Sequence, residues 1–234
     1  MDLYDAINRR KSCRTYKMEV LRDDQMAQIE AVLGGVEPLF PDAPVSYRFA
    51  TETKGMFHVK APHYLVLSGH GKEGEQENAG FIGQHLMLWL NANELGGVWL
   101  GASKDAAERR KSDLIVIAFG KLEGSPDRAL SEFQRKLIEE ITNDVEDVCL
   151  QAVRLAPSGL NIQPWYFEKT DGRLFVYRQR LKPPMSVAYR LTKIDMGIAL
   201  CHYAVACRHF NRPFHFTAEK SGGSKKGYDL MGVL

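Results

Sequence analysis

The sequence predicts an α+β fold, in which sheet strands and packed helices mix without a strict β-α alternation. Three observations carry this. The runs at 63–68 (HYLVLS) and 113–120 (DLIVIAFG) are short, continuous and apolar, as central strands are. The segments at about 75–95 and 192–209 carry apolar residues at helical spacing over four or more turns. Strands and long helices recur in both halves of the chain. At 234 residues, with 44% hydrophobic and 26% charged residues, the chain has enough apolar surface for a core without a disulfide or metal staple.

Taken in order, residues 2–10 form a first helix, with Leu3, Ala6 and Ile7 on one face. Asp23 or Asp24 caps a second helix carrying Met26, Ile29, Val32 and Leu33, and Gly34-Gly35 stops it. Val45, Tyr47 and Phe49 alternate as in a half-buried strand. The long helix at 75–95 has Phe81, Ile82, His85, Leu86, Trp89 and Leu90 on its apolar side, with Gly96-Gly97 read as its stop. Ser103 is placed to cap a short helix. A helix at about 143–156 turns Val145, Val148, Cys149, Ala152 and Val153 inward. Strands at 174–177 and 213–218, the helix at 192–209 and a terminal apolar segment complete the chain.

A shift of 117 residues lays Asn78-Ala79-Gly80 on Asp195-Met196-Gly197 and His85 on His202. At a shift of 116 the strand beginning at Asp113 falls on Asp229-Leu230-Met231-Gly232. The pattern suggests two related halves, although any two α+β halves share some helix-strand order.

Charge excludes some functions. The 31 Lys and Arg against 29 Asp and Glu give a net +2, with 14 basic and 16 acidic residues before position 118 and 17 and 13 after it. Neither half presents the concentrated basic character of a nucleic-acid-binding module. No apolar stretch approaches the length of a membrane span, and the acidic N-terminus is not expected to be a signal peptide. Four cysteines without a CxxC suggest free thiols in a reducing compartment, so a cytoplasmic location is expected. The P-loop, HExxH and GxSxG are all missing, and the scattered histidines give no metal-site spacing.

Three stretches can carry chemistry. In residues 9–14, Arg9, Arg10, Lys11 and Arg14 surround Ser12, and guanidinium forks with a hydroxyl suit a phosphate. A basic run at a helix C-terminus is also what the helix dipole favours by itself. In Ala156-Pro157-Ser158-Gly159-Leu160-Asn161-Ile162-Gln163-Pro164-Trp165, two prolines bound a rigid turn that can aim Ser158, Asn161 and Gln163 at the edge of a planar heterocycle. The same polar side chains can instead satisfy the loop's own backbone. In Leu95-Gly96-Gly97-Val98-Trp99-Leu100-Gly101, glycine permits a close backbone approach to a flat ligand, and Gly101 is the one that a helix stop leaves unexplained.

Two of these stretches together resemble the FMN-dependent nitroreductase family. Arg10-Lys11-Ser12-Cys13-Arg14-Thr15-Tyr16 is similar to its N-terminal Arg-Arg-Ser-x-Arg-x-Phe pattern, and residues 156–165 match Ala-Pro-Ser-x-x-Asn-x-Gln-Pro-Trp at every fixed position. Asn78-Ala79-Gly80, the glycines at 96–101 and the strand at 113–120 look like its Asp-x-Gly helix, Gly-rich turn and following strand. In ordinary members the two motifs lie close in sequence and meet across a homodimer interface, where FMN binds. Here Arg14 and Pro157 are more than 140 residues apart. The chain therefore resembles an internally duplicated, pseudo-dimeric type, similar to a subgroup from thermophiles. Its halves would be 1–124, with the phosphate clamp, and 125–234, with the Pro-Ser-x-x-Asn loop.

The resemblance implies a nitroreductase-like fold of two degenerate halves, each with a mostly antiparallel sheet and packed helices. It implies one FMN per chain, since neither motif recurs at its shifted position. Arg10, Ser12 and Arg14 would hold the FMN phosphate, with Lys11 assisting. Pro157, Ser158 and Asn161 would contact the flavin ring, with Gln163 nearby. Leu100 and Gly101 would approach flavin N5, and Lys121 or Arg128 would supply a further cation. The implied activity is ping-pong hydride transfer from NAD(P)H through flavin N5 to a nitroaromatic, a quinone or a similar small acceptor, with no catalytic side chain and no metal. A flavin-binding sensor without turnover and a divergent flavin enzyme such as a dehalogenase are the alternatives. A monomer or a weak homodimer is expected, with no nucleic-acid or membrane partner.

Overall fold

A computed structural model describes residues 2–55, 59–183 and 191–234. Helices α1 (Leu3–Arg9) and α2 (Asp23–Gly34) precede strands β1 (Ser46–Ala50), β2 (Thr53–Gly55) and β3 (His63–Ser68). Helix α3 (Glu75–Ala92) leads into β4 (Leu95–Leu100), β5 (Ser103–Asp105) and β6 (Asp113–Lys121). The second half holds α4 (Val148–Arg154), β7 (Trp165–Thr170), β8 (Arg173–Gln179), α5 (Leu191–His209), β9 (Thr217–Ala218) and β10 (Tyr228–Val233). Two four-stranded sheets, ordered β1-β3-β6-β4 and β7-β8-β10-β9, have only antiparallel neighbours, and β2 and β5 form a small antiparallel ribbon. The α+β expectation holds.

The core is centred on α3 and α5. Leu86, Leu88 and Leu90 on α3 and Ile198, Leu200 and Ala206 on α5 are fully or almost fully buried in one cluster with strands of both sheets. The helices approach closely because glycines stand at their crossing. A Cβ on Gly80 would overlap the carbonyl of Ile194, and one on Gly197 would overlap the carbonyl of Glu77. These contacts are reciprocal, since a 117-residue shift carries the first pair onto the second. The same holds for two polar pairs. Gln84 Nε2 lies 3.0 Å from His202 Nε2, and His85 Nδ1 lies 3.2 Å from Cys201 Sγ. With Gln84 donating to Nε2, His202 keeps its proton on Nδ1, 2.9 Å from the Ala152 carbonyl. Burial pushes its pKa down to about 3, so the ring is neutral.

Several elements depart from the sequence reading. Gly96-Gly97 is not a helix stop. α3 ends at Ala92, Glu94 takes the left-handed conformation at φ 59°, and both glycines lie inside β4. Their lack of side chains admits Leu122 and Cys13 against Gly96 and Met87 against Gly97. Ser103 starts β5 rather than capping a helix, because residues 103–105 pair with 53–55. The helix expected at 143–156 is shorter, because Asp147 caps it by accepting the Cys149 and Leu150 amides at 2.7 and 3.2 Å. The strand expected at 213–218 is paired only at Thr217–Ala218, and the terminal apolar segment is β10. Among the described residues no helix is long and apolar enough to cross a membrane.

Gly197→Ala should lower the unfolding free energy by about 2 kcal/mol by forcing α3 and α5 apart. Urea denaturation of the purified variant against the parent measures it.

Candidate functional site

A cavity of about 720 Å³ lies where the segment after α1, the end of β4, the connection between β6 and α4, the loop after α4 and the start of α5 converge. This is within the usual size range of a cofactor site. Chain pairing builds its basic wall. Arg10 caps α1 and forms an isolated antiparallel bridge with Asp127, flanked by Lys11 N–H to Pro126 O at 3.1 Å and Arg128 N–H to Arg9 O at 2.7 Å. This pairing sets Arg128 beside Arg10, across more than a hundred residues of sequence.

Arg10 is 2% exposed. It donates one bond, from Nη2 to Ser12 Oγ at 3.3 Å, while its Nε and Nη1 have no partner. The Nε groups of Arg128 and Arg135 are also buried and unpartnered. Burial, then the nearby Arg128 and Arg135, pulls the Arg10 pKa down to about 9. Burial, then Arg128 and Arg154, brings Arg135 to about 10. Arg128 is lowered in the same way, and its guanidinium sits 3.6 Å over the Phe133 ring. Glu132, the carboxylate among the wall residues besides Asp195, accepts the Ala129 amide at 2.6 Å. Three converging guanidinium groups with idle N–H donors are costly unless an anion joins them, and a phosphate dianion meets both the charge and the donor geometry.

The opposite wall is the loop at 157–161. Leu160, Asn161 and Gln163 have φ of 51°, 57° and 52°, the left-handed region that non-glycine residues avoid. Side-chain hydrogen bonds hold this strained path. Ser158 Oγ accepts from Gln163 N–H at 2.8 Å, and Gln163 Oε1 accepts from Lys136 N–H at 2.9 Å. Asn161 donates from Nδ2 to Gln134 O and accepts from Arg135 Nη1 on Oδ1, both at 2.8 Å. Asp195 Oδ1 accepts from Gly159 N–H at 2.9 Å. Val98, Trp99, Leu100 and Gly101 from β4 and the turn after it, with Ile115, Ile194 and Ile198, supply the apolar part of the wall.

Of the residues expected at a site, Arg10, Lys11, Ser12, Arg14, Leu100, Gly101, Arg128, Pro157, Ser158 and Asn161 all line this cavity. Gln163 does not; it is 3% exposed and serves the loop from behind. Lys121 is also outside, because it ends β6 opposite Leu95 at the start of β4, whereas the cavity lies at the Leu100 end, and it pairs with Glu19 at 3.0 Å. Of the two alternatives for the extra cation, Arg128 is the one at the cavity. Arg135 and Asp195 line it unanticipated. Arg135 sits in an aperiodic polar connection with no motif. Asp195 had a signal, the change from Asn78 to Asp at the 117-residue shift.

A second cavity, of about 1330 Å³, contains Phe40 and Glu77, which stand 117 positions before Pro157 and Ile194. It holds none of the motif residues. Both of its guanidinium groups, Arg178 and Arg180, pair with Asp229, at 3.1 and 2.6 Å, and Lys193, Lys220 and Lys225 pair with Glu77, Glu73 and Glu168 at 3.8, 2.7 and 3.5 Å, so its guanidinium groups face a carboxylate where those of the first cavity do not.

A family model described as "Putative TM nitroreductase" matches residues 2–207. The chain belongs to this nitroreductase family. Its members are oxidoreductases, and that general class holds for this chain. Its fold is similar to the solved structure of "a putative nitroreductase" from Thermotoga maritima, with 20% identity, a TM-score of 0.68, and coverage of 99% of this chain and 94% of that one. Other similar structures cover about half to three-fifths of this chain. A putative NADH oxidase from Clostridium acetobutylicum is 16% identical, covers 58% of this chain and 97% of its own, and has a TM-score of 0.45. An FMN-dependent nitroreductase from Clostridium difficile is 15% identical, with coverage of 51% and 87% and a TM-score of 0.40. No curated protein matches the chain.

Inorganic phosphate at millimolar concentration should raise the melting temperature of this protein by occupying the guanidinium cluster. In Arg10→Gln the increment should largely vanish. Thermal scans with and without phosphate, at constant ionic strength, measure both.

Proposed function

We propose that the smaller cavity binds FMN and that the chain is an FMN-dependent NAD(P)H oxidoreductase acting on a nitroaromatic, a quinone or a similar small acceptor. The observation that carries this reading is the meeting of the two distant motifs in one cavity, with orphaned guanidinium donors on one side and a strained polar loop on the other. Arg10, Arg128 and Arg135, with Ser12 and Arg14, would hold the phosphate. Pro157, Ser158 and Asn161 would border the ring from the other wall, and the backbone of Leu100 and Gly101 would face its reactive edge. FMN bound there supplies two-electron chemistry, taking a hydride from NAD(P)H and passing it to the acceptor. The protein's own work is to orient the ring, neutralise the phosphate and keep the apolar wall of Val98, Ile115 and Ile198 dry.

The reading extends to architecture. Residues 1–124 and 125–234 would be two diverged copies of one unit, each keeping one of the two motifs, so that a single chain forms the interface FMN needs. The reciprocal contacts Gly80–Ile194 with Gly197–Glu77, and Gln84–His202 with His85–Cys201, support it.

The purified protein should be yellow, or should become so with FMN, and NADH or NADPH added anaerobically should bleach the flavin band. A protein that takes up no FMN overturns the reading, and one that binds FMN but never bleaches is a sensor and no reductase. Replacing Ser12 and Arg14 together by Ala should weaken FMN binding at least tenfold while moving the apoprotein's melting temperature by only a few degrees, because Arg14 is exposed. Fluorescence titration and thermal scans separate the two effects.

A further inference from the structure

Asp195 stands on α5 beneath the strained loop and lines the cavity. It is 4% exposed. One carboxylate oxygen accepts the Gly159 amide; the other, Oδ2, is buried without a partner and lies 3.7 Å from where a Cβ on Gly159 would stand. The residue 117 positions earlier solves the same packing problem completely. Asn78 on α3 accepts from Phe40 N–H at 3.0 Å and donates to the carbonyls of Phe40 and Ala43, both at 2.8 Å. An amide therefore satisfies a loop at this place in the fold, whereas the carboxyl at 195 leaves one oxygen uncommitted at the cavity.

No ion pair explains the carboxyl among the described residues. The loop at 158–163 brings no titratable side chain. Lys193, on the same helix, turns to Glu77 of α3 at 3.8 Å. The cavity's Arg10, Lys11, Arg14, Arg128, Arg135 and Glu132 make no recorded bond to it. Burial raises the Asp195 pKa to about 7, against a smaller lowering by the Gly159 amide.

We propose that Asp195 binds FMN as a neutral carboxylic acid, its Oδ2–H donating a hydrogen bond to an acceptor on the ring, so that cofactor binding is linked to protonation of this one side chain. The inference rests on the FMN reading of the cavity. It makes Asp195 a group that touches the cofactor, where a purely structural residue would be better served by asparagine. In the apoprotein the folded chain keeps this proton up to about pH 7, while the unfolded chain releases it near the ordinary aspartate value of 3.8. Its stabilising contribution is therefore full below about pH 4 and is lost as pH rises to about 7.

The test measures the FMN dissociation constant of the apoprotein by flavin fluorescence between about pH 7 and 8, above the ionisation of the FMN phosphate and below the range in which Arg10 loses its charge, for the parent and Asp195→Asn. The parent should weaken up to about tenfold per pH unit, and the variant should stay flat while its apoprotein melts no lower than the parent. Calorimetry of the parent alone, at about pH 8 in buffers of different ionisation enthalpy, should show close to one proton taken up per FMN bound. An equal pH slope in parent and variant, or no proton uptake by the parent, overturns the role of Asp195 while leaving the cavity as the flavin site. Failure of the parent to bind FMN at any pH overturns both.

Discussion

The close approach of α3 and α5 is the constraint on which the rest of the structure depends. Two helices can bring their backbones together only where no Cβ intervenes, and Gly80 and Gly197 meet that condition from opposite sides of one crossing. The crossing fixes the two sheets relative to each other, because each helix packs its apolar face on strands of the common core. It also delivers Ile194, Asp195 and Ile198 to the floor of the cavity, since they occupy the turns flanking Gly197. The polar pairs Gln84–His202 and His85–Cys201 lie one turn further on, where unpaired buried groups would be costly, and each is satisfied by the other helix.

The cavity itself is a region of stored cost. Guanidinium groups are buried with idle donors, and three residues of one short loop hold left-handed backbone angles. Neither feature helps the empty protein fold. Both persist because surrounding groups over-determine them, with Arg135 tying the basic wall to Asn161 of the loop. An anion set among these donors would remove much of their cost, which would couple binding energy to folding energy at this site. The second cavity makes the contrast. Its two guanidinium groups face Asp229, and Asn78 satisfies its loop.

Elements with a single strong local signal were legible in the sequence. The apolar runs of β3 and β6, the helical spacing of α3 and α5 and the stop of α2 at Gly34-Gly35 all appear where the pattern puts them. The start of α2 does not, because Arg22 holds the N-cap position and the expected caps Asp23 and Asp24 are the first residues of the helix, where the dipole favours their charge. Elements whose residues have two local uses were misread. Gly96-Gly97 fits a helix stop as well as a strand pressed by Leu122 and Met87, and only the neighbours distinguish them. Ser103 fits an N-cap until β2 pairs with it.

The sequence by itself determined the α+β class, the two polar motifs and the balance of charge that keeps basic character local. These follow from periodicity and composition, which each segment carries alone. Tertiary structure decided which cations share a cavity. Arg128 and Arg135 join Arg10 because residues 126–128 pair with residues 9–11, and Lys121 is excluded because its strand ends elsewhere. It also decided that Asp195 is buried with a free oxygen. The dielectric around a carboxyl is set by everything packed against it, and no spacing along one chain encodes that.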